Sequence, residues 1–236
     1  MTLTMLYEGK AKKVFSTEIP QEIIIHFKDD ATAFNGEKKD VFADKGRVNL
    51  AFTRYFFELL NPHNVKTHIL SFIDDVSLRA KKVEIIPLEV VVRNYAAGSI
   101  CRRLGFKKGM EFEPPLCEFY LKDDSLGDPI LCREHIRYMD GIAESDLSVI
   151  EESALKINTI LSEHMDSFGI TLVDFKLEFG KTCDGEIILA DEISPDTCRF
   201  WVKGTMESLD KDVYRENKGD LISSYKKLGD ILGIKF

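Results

Sequence analysis

In the stretch LVDFKLEFG, residues 172–180, Val173, Phe175, Leu177 and Phe179 alternate with Asp174, Lys176 and Glu178. A period of two marks a strand with one buried face, so the three ionisable groups share the other face. Residues 186–191 (EIILAD) read as a second strand, and Asp184-Gly185 between the two is a strong hairpin-turn signal. A tight turn centred on those two residues sets Glu178 directly opposite Asp191. Carboxylates facing each other across a ladder repel. A hard divalent cation with oxygen ligands relieves that repulsion. The competing reading is a solvated outer face of an antiparallel sheet. The loop that follows at once, carrying Glu192, Ser194, Asp196 and Arg199, moves the balance toward a site.

Two further stretches carry chemistry. In YEGKAKKVF, residues 7–15, Gly9 sits in a turn between strand-like runs, with Lys10, Lys12 and Lys13 beside it. Such a turn brings backbone N–H groups and point charges to phosphates. It is not a Walker A loop, and no GxGxxG occurs. By itself the lysine cluster reads more readily as a solvated basic turn. In IPLEVVVRNYAAGS, residues 86–99, a β-branched strand delivers Arg93, and Ser99 stands where it could cap a short helix. That spacing reads equally as a phosphate site or as a capped helix with Arg93 in a structural ion pair.

The elements that must position these groups follow from periodicity. Residues 22–28 read as a strand. Residues 44–60 read as a helix with its apolar stripe inward, ended by Asn61-Pro62, and residues 65–84 as short strands. His63 and His68 read as ordinary surface or strand residues. The first third is therefore a small, mostly antiparallel lobe with one helix. Residues 106–128, with Pro114-Pro115 and Asp123, Asp124 and Asp128, read as loop. Residues 145–168 form the clearest long helix, with Gly169 as its stop, and residues 220–232 a closing amphipathic helix. Trp201 reads as a core anchor.

The chain has 236 residues and is 44% hydrophobic, enough for one large domain or two joined lobes. A net charge of −8 argues against non-specific nucleic-acid binding and against a membrane-surface protein. Five scattered cysteines without a CxxC pair suggest neither a disulfide framework nor a zinc site, which points to a reducing, cytoplasmic setting. No signal peptide or membrane span is expected.

The stretches at residues 7–15, 86–99, 172–180 and 191–199 (DEISPDTCR), in that order along nearly the whole chain, resemble the SAICAR synthetase (phosphoribosylaminoimidazole-succinocarboxamide synthase) family. Thr197-Cys198 departs from the small Gly or Ser residues more usual there. The resemblance implies an ATP-dependent carbon–nitrogen ligase of purine biosynthesis. Such an enzyme joins the carboxylate of carboxyaminoimidazole ribotide (CAIR) to the amine of L-aspartate through an acyl phosphate. It also implies an α+β fold in which a small antiparallel β lobe, residues 1–84, packs on a larger α+β lobe, residues 85–236, with ATP in the cleft, and a cytoplasmic homodimer. On the matching positions it assigns Gly9, Lys10, Ala11, Lys12 and Val14 to ATP, and Glu178 and Asp191 to Mg2+. Arg93, Ser99 and Arg199 go to the ribotide, and Lys176 and Asp196 to catalysis. A small-molecule kinase is the rival enzymatic reading, but no HRD-type motif is present. A nucleotide sensor is the non-enzymatic one.

Overall fold

A computed structural model describes residues 4–33 and 38–236; residues 1–3 of the expected first lobe lie outside the described residues. Within them, β1 (Met5–Glu8), β2 (Lys12–Ser16), β3 (Glu22–Phe27), β6 (Ile69–Phe72) and β7 (Ser77–Lys81) make an antiparallel sheet in the order β1-β2-β3-β7-β6. A separate ribbon pairs β4 (Asp30–Ala33) with β5 (Lys38–Val41). The second sheet runs β10-β9-β8-β11-β12, from β8 (Glu84–Tyr95), β9 (Glu111–Leu121), β10 (Ile130–Leu131), β11 (Ile170–Lys181) and β12 (Ile187–Ala190). The strand β13 (Cys198–Val202) pairs with the first half of β11, on the edge that β12 occupies further along.

The helix α1 (Lys45–Leu60) ties the two sheets together. Its Leu50 joins Ile25, Phe27, Leu78 and Ala80 under the first sheet. Its Val48, Phe52, Phe56 and Leu60 enter the main core, which underlies the second. The close approach needs Gly46, because a Cβ there would lie 2.6 Å from the Phe27 carbonyl oxygen. The helix α4 (Glu144–Ser167) packs on the same core face of β11 and β8, burying Leu147, Ile150, Ala154, Ile157, Leu161 and Met165 on one stripe. Each of these except Ala154 contributes about 1.5–3 kcal/mol of transfer free energy. Short helices α2 (Ser99–Leu104), α3 (Arg133–Ile136) and α5 (Asp212–Arg215) and the closing helix α6 (Leu221–Leu232) complete the fold. Asp220 caps α6 by accepting from the Ser223 N–H.

Four expectations change. The β11–β12 register places Glu178 opposite Ala190, not Asp191. The turn is one residue longer than the tight hairpin requires, since Thr182 N–H donates to the Glu186 carbonyl and Gly185 N–H to the Thr182 carbonyl. Val173 leaves the row of Phe175, Leu177 and Phe179, because a bulge against β13 between Leu172 and Asp174 turns it toward Ala97 and Trp201. Residues 111–121, expected as loop, are the strand β9; Pro114 and Pro115 fall in the irregularity between its Arg93 and Tyr95 pairings, where the missing N–H groups cost no ladder bond. Ser99 is the first residue of α2, and Gly98 takes the cap position with no side-chain capping bond.

Candidate functional site

The polar face of β11 is a row along which Asp174, Lys176 and Glu178 point out of the main core, while Phe175, Leu177 and Phe179 point in. Four residues of strand separate Asp174 from Glu178, so the row spans roughly 13 Å. Each end gathers its own cluster.

At the Glu178 end, lysines and carboxylates from five parts of the chain meet. Lys176 Nζ donates to Glu178 Oε1 at 2.6 Å and to Glu89 Oε1, on β8, at 3.0 Å. Lys122, just past β9, donates to the second Glu178 oxygen. Lys12, from β2 of the smaller sheet, reaches across to Asp191 at 2.5 Å and Glu192 at 2.6 Å, over the ring of Phe27. Asp191 follows β12 with a left-handed backbone, φ 58°, which takes it out of the strand. Burial works against every charge here, and the opposite charges overcome it. Asp191 stays below the usual carboxylate range because Lys12, Lys176 and Lys122 surround it. Lys12 and Lys176 stay protonated well above the ordinary lysine value, the first through Asp191 and Glu192, the second chiefly through Glu178. Lysines thus balance both carboxylates, Lys176 and Lys122 at Glu178 and Lys12 at Asp191. Among the described residues no three His, Cys, Asp or Glu side chains converge as a metal cage. The two-carboxylate set suits Mg2+, which keeps waters and shares phosphate oxygens instead of taking an all-protein cage.

The β1–β2 turn contributes unequally. Gly9 N–H is spent closing the turn on the Lys12 carbonyl at 2.8 Å. Ala11 accepts from the Lys28 N–H, and Val14 is half-buried in β2, paired with Ile25 of β3. Lys10 sits at the exposed tip and pairs with Asp124 of the β9–β10 connection at 2.5 Å. Lys13 alternates to the opposite side of the strand from Lys12 and Val14, within 3.8 Å of Glu8.

At the Asp174 end, Arg93 and Arg199 share one carboxylate, with Arg93 Nη1 2.7 Å and Arg199 Nη1 2.9 Å from Asp174 Oδ2. Arg93 is buried; its Nε donates to Glu118 at 2.6 Å and its Nη2 to Ser99 Oγ and the Tyr120 hydroxyl, each at 3.3 Å. Arg199 also pairs with Asp212 at 2.8 Å. A Cβ on Gly98 would lie 2.4 Å from Arg199 Nη2, so this backbone, φ 62°, presses on the guanidinium. Arg93, Ser99 and Arg199 are thus brought together, with both guanidiniums already held by carboxylates.

Asp196 lies apart, in a buried cage. Lys45 at 2.6 Å, Lys211 at 3.3 Å and the Tyr225 hydroxyl at 2.5 Å engage it. Burial opposes its charge, but Lys211 and Lys45 hold the carboxyl below the ordinary range. The sequence reading missed Lys45 and Lys122, and it gave no role to Asp174 or to Glu192, which it named only within the loop beside the site. Lys45 could have been found, since it falls on the buried stripe of α1 with Val48, Asn49 and Phe52, where a lone lysine needs a partner. Lys122 carries no such signal.

A family model described as SAICAR synthetase matches residues 5–230. The phosphoribosylaminoimidazole-succinocarboxamide synthase of Coprothermobacter proteolyticus is 50% identical over 231 residues, 98% of each chain. That of Staphylococcus aureus strain JH9 is 48% identical over 224 residues, 95% of this chain and 96% of its own. Among solved structures, a SAICAR synthetase (Type-2) in complex with ADP superposes with a TM-score of 0.93 at 49% identity, covering 98% of both chains. The phosphoribosylaminoimidazole-succinocarboxamide synthase of Ehrlichia chaffeensis superposes with a TM-score of 0.95 at 43% identity, covering 99% of this chain and 100% of the other.

Proposed function

Because the chain belongs to the SAICAR synthetase family, we propose that it joins the carboxylate of CAIR to the amine of L-aspartate at the expense of ATP. The observation that carries the site reading is the two-ended row on β11. Lysines from both sheets meet two carboxylates at Glu178, and two arginines meet on Asp174 about a strand's length away. A substrate with a phosphate at one end and a reacting carboxylate at the other matches that layout.

In this reading the smaller lobe, residues 1–84, covers ATP with the Gly9–Lys10–Ala11 turn, Lys12 and the Val14 wall, and residues 85–236 supply the rest. Glu178 and Asp191 hold Mg2+, which when bound neutralises phosphate oxygens. Lys12 and Lys122 turn from their carboxylate partners to the phosphates, and Lys176 faces the carboxylate of CAIR. Arg93, Ser99 and Arg199 hold the ribotide phosphate. A carboxylate oxygen of CAIR attacks the γ-phosphorus, the bond to the β–γ bridging oxygen breaks, and ADP leaves behind an acyl phosphate. The amine nitrogen of L-aspartate attacks the acyl carbon, the carbon–oxygen bond to phosphate breaks, and the nitrogen passes one proton to the departing phosphate. The side chains act by alignment and charge stabilisation, which is what phosphoryl transfer chiefly demands. Asp196, with its oxygens committed to Lys45, Lys211 and Tyr225, positions the loop and transfers no proton. The enzyme works as a cytoplasmic homodimer; no helix among the described residues is long and apolar enough to cross a membrane.

Phosphate release from MgATP, with CAIR and L-aspartate supplied singly and together, tests the reading. Release that requires both, with a product of the succinocarboxamide mass, is expected. Phosphorylation of a single acceptor would make the protein a kinase, and binding of ATP without turnover would make it a sensor.

A further inference from the structure

Asp210 is fully buried, and its two carboxylate oxygens are turned on the main chain. Oδ2 accepts from the Phe200 N–H and Oδ1 from the Asp212 N–H, each at 2.8 Å. A buried charge is tolerated where hydrogen bonds meet it, and these two meet it at a junction. The segment leading to Asp210 lies along the outer edge of β13. Leu209 N–H donates to the Phe200 carbonyl at 2.9 Å, and Ser208 bridges Trp201. Beyond Leu209 the chain leaves that edge for α5, and the Asp210 side chain supplies Phe200 N–H with the acceptor it needs.

The two N–H groups held in this way flank one ion pair. Phe200 follows Arg199, and Asp212 is the carboxylate on which Arg199 rests, with Nε 2.8 Å from Oδ2 and Nη2 3.4 Å from Oδ1. Asp212 is itself buried, and it also accepts from Arg215 at 2.7 Å. On its other side Arg199 gives Nη1 to both oxygens of Asp174, at 3.0 and 2.9 Å. Two carboxylates from separate elements therefore fix the guanidinium plane. Nη2, with its single long bond, keeps a donor on the side of Gly98. That side is also where Arg93 Nη2 meets Ser99 Oγ. A fork held on two edges presents the remaining one in a single orientation, which is what recognition of a phosphate by arginine demands.

We propose that Asp212 is a positioning residue that aims Arg199 at the ribotide phosphate, and that Asp210 is the clamp that holds Asp212 in place to do so. The inference rests on the ligase reading for the identity of the anion. Neither carboxylate touches the substrate; both act through Arg199.

Two measurements test it, and neither needs turnover. The first is calorimetric: Kd for CAIR, and for Mg2+ with a non-hydrolysable ATP analogue, in the unaltered chain, Asp212→Asn and Asp210→Asn, and in each of these with Arg199→Ala added. Asp212→Asn is expected to weaken CAIR about tenfold and Asp210→Asn about fivefold, with the ATP analogue held within about twofold. With Arg199→Ala in place, neither Asp change should cost CAIR more than about a further twofold, because a residue that acts through Arg199 has nothing left to act on. An unchanged Kd for CAIR in Asp212→Asn, or the same loss with and without Arg199, overturns the proposal. Asp212→Asn keeps shape and an acceptor oxygen, so it decides the aim of Arg199 even where Asp210→Asn proves too unstable to assay. The second follows the Arg199 Nε–H by 15N NMR in the free protein. Its exchange with solvent is expected to be slow in the unaltered chain and about tenfold faster in both variants. An Nε–H unmoved by Asp210→Asn, whose side chain does not reach Arg199, overturns the clamp. Absence of CAIR binding in the unaltered chain would instead overturn the ligase reading, and the exchange rates would still decide whether Asp210 and Asp212 set Arg199.

Discussion

At Glu178 one carboxylate oxygen accepts from Lys176 and the other from Lys122, while the apolar side of the strand is built by neighbours that a change there leaves alone. Glu178→Gln keeps the shape and removes the charge. Turnover is expected to fall by about a hundredfold, in line with removal of one preorganised electrostatic group, and to recover in part as Mg2+ is raised. Unfolding temperature should move by only a few degrees. Unchanged activity at limiting Mg2+ would remove the metal assignment. Arg93→Ala separates the other end of the row. If Arg93 grips the ribotide phosphate, KM for CAIR rises about tenfold or more while KM for ATP holds; an equal loss for both would leave Arg93 as the ion-pair partner of Asp174 and Glu118 alone. At this scale Asp174, Lys176 and Glu178 were legible, because strict alternation fixes which side chains share a face. Lys122 was not, since a lone charged residue outside a periodic pattern says nothing about what it will face.

The element that carries most of the positional information is α1, which contributes to both cores and sends Lys45, fully buried, to Asp196. Removing one partner of a buried pair leaves the other charge uncompensated, at a cost of about 3–5 kcal/mol. Lys45→Met is therefore expected to lower the stability of the chain by about 3 kcal/mol, reduced from the upper figure because Lys211 remains on Asp196. Urea unfolding checks it, and a change under about 1 kcal/mol would mean the pair is dispensable. The long helices α1 and α4 were legible almost to the residue, because each shows three or more turns of one apolar stripe before a stop signal. The hairpin was legible as a hairpin but not in register. Asp184-Gly185 marks a turn without fixing its length, and one extra residue moves every partner. The strand β9 was hidden for a related reason: Pro114-Pro115 argues against a ladder, and only the irregular pairing with β8, a tertiary fact, makes room for it. Asp191 still reaches the cluster, because its left-handed backbone redirects the carboxylate that the expected register would have aimed.

Across the whole molecule the net charge of −8 hides a cleft in which cations and anions are matched at close range, and this matching should set the response to acid. Two buried groups that titrate in the mildly acidic range act in opposite directions. His68 drops from its ordinary 6.5 to about 4 on burial, so between those values the unfolded chain binds the extra proton and stability falls as pH falls. Asp210 rises from 3.8 to about 6, first through burial and then through the neighbouring charge of Asp212, so the folded chain holds the proton there and stability grows as pH falls through 6 toward 4. Each shift corresponds to about 3 kcal/mol at full effect, so the two largely offset each other in the intact protein. Below about pH 4 the carboxylates held low by cations, Asp191, Asp196 and Asp212, begin to lose what they contribute. The offset is separable by substitution. Measured by urea midpoints at pH 7, 6, 5 and 4.5, His68→Phe should gain stability relative to the unaltered chain as pH falls, because Asp210 then acts alone. Asp210→Asn should lose it, because His68 does. The two difference curves should diverge with opposite signs over the same window. Parallel profiles for all three proteins would mean that neither group changes its proton affinity on folding.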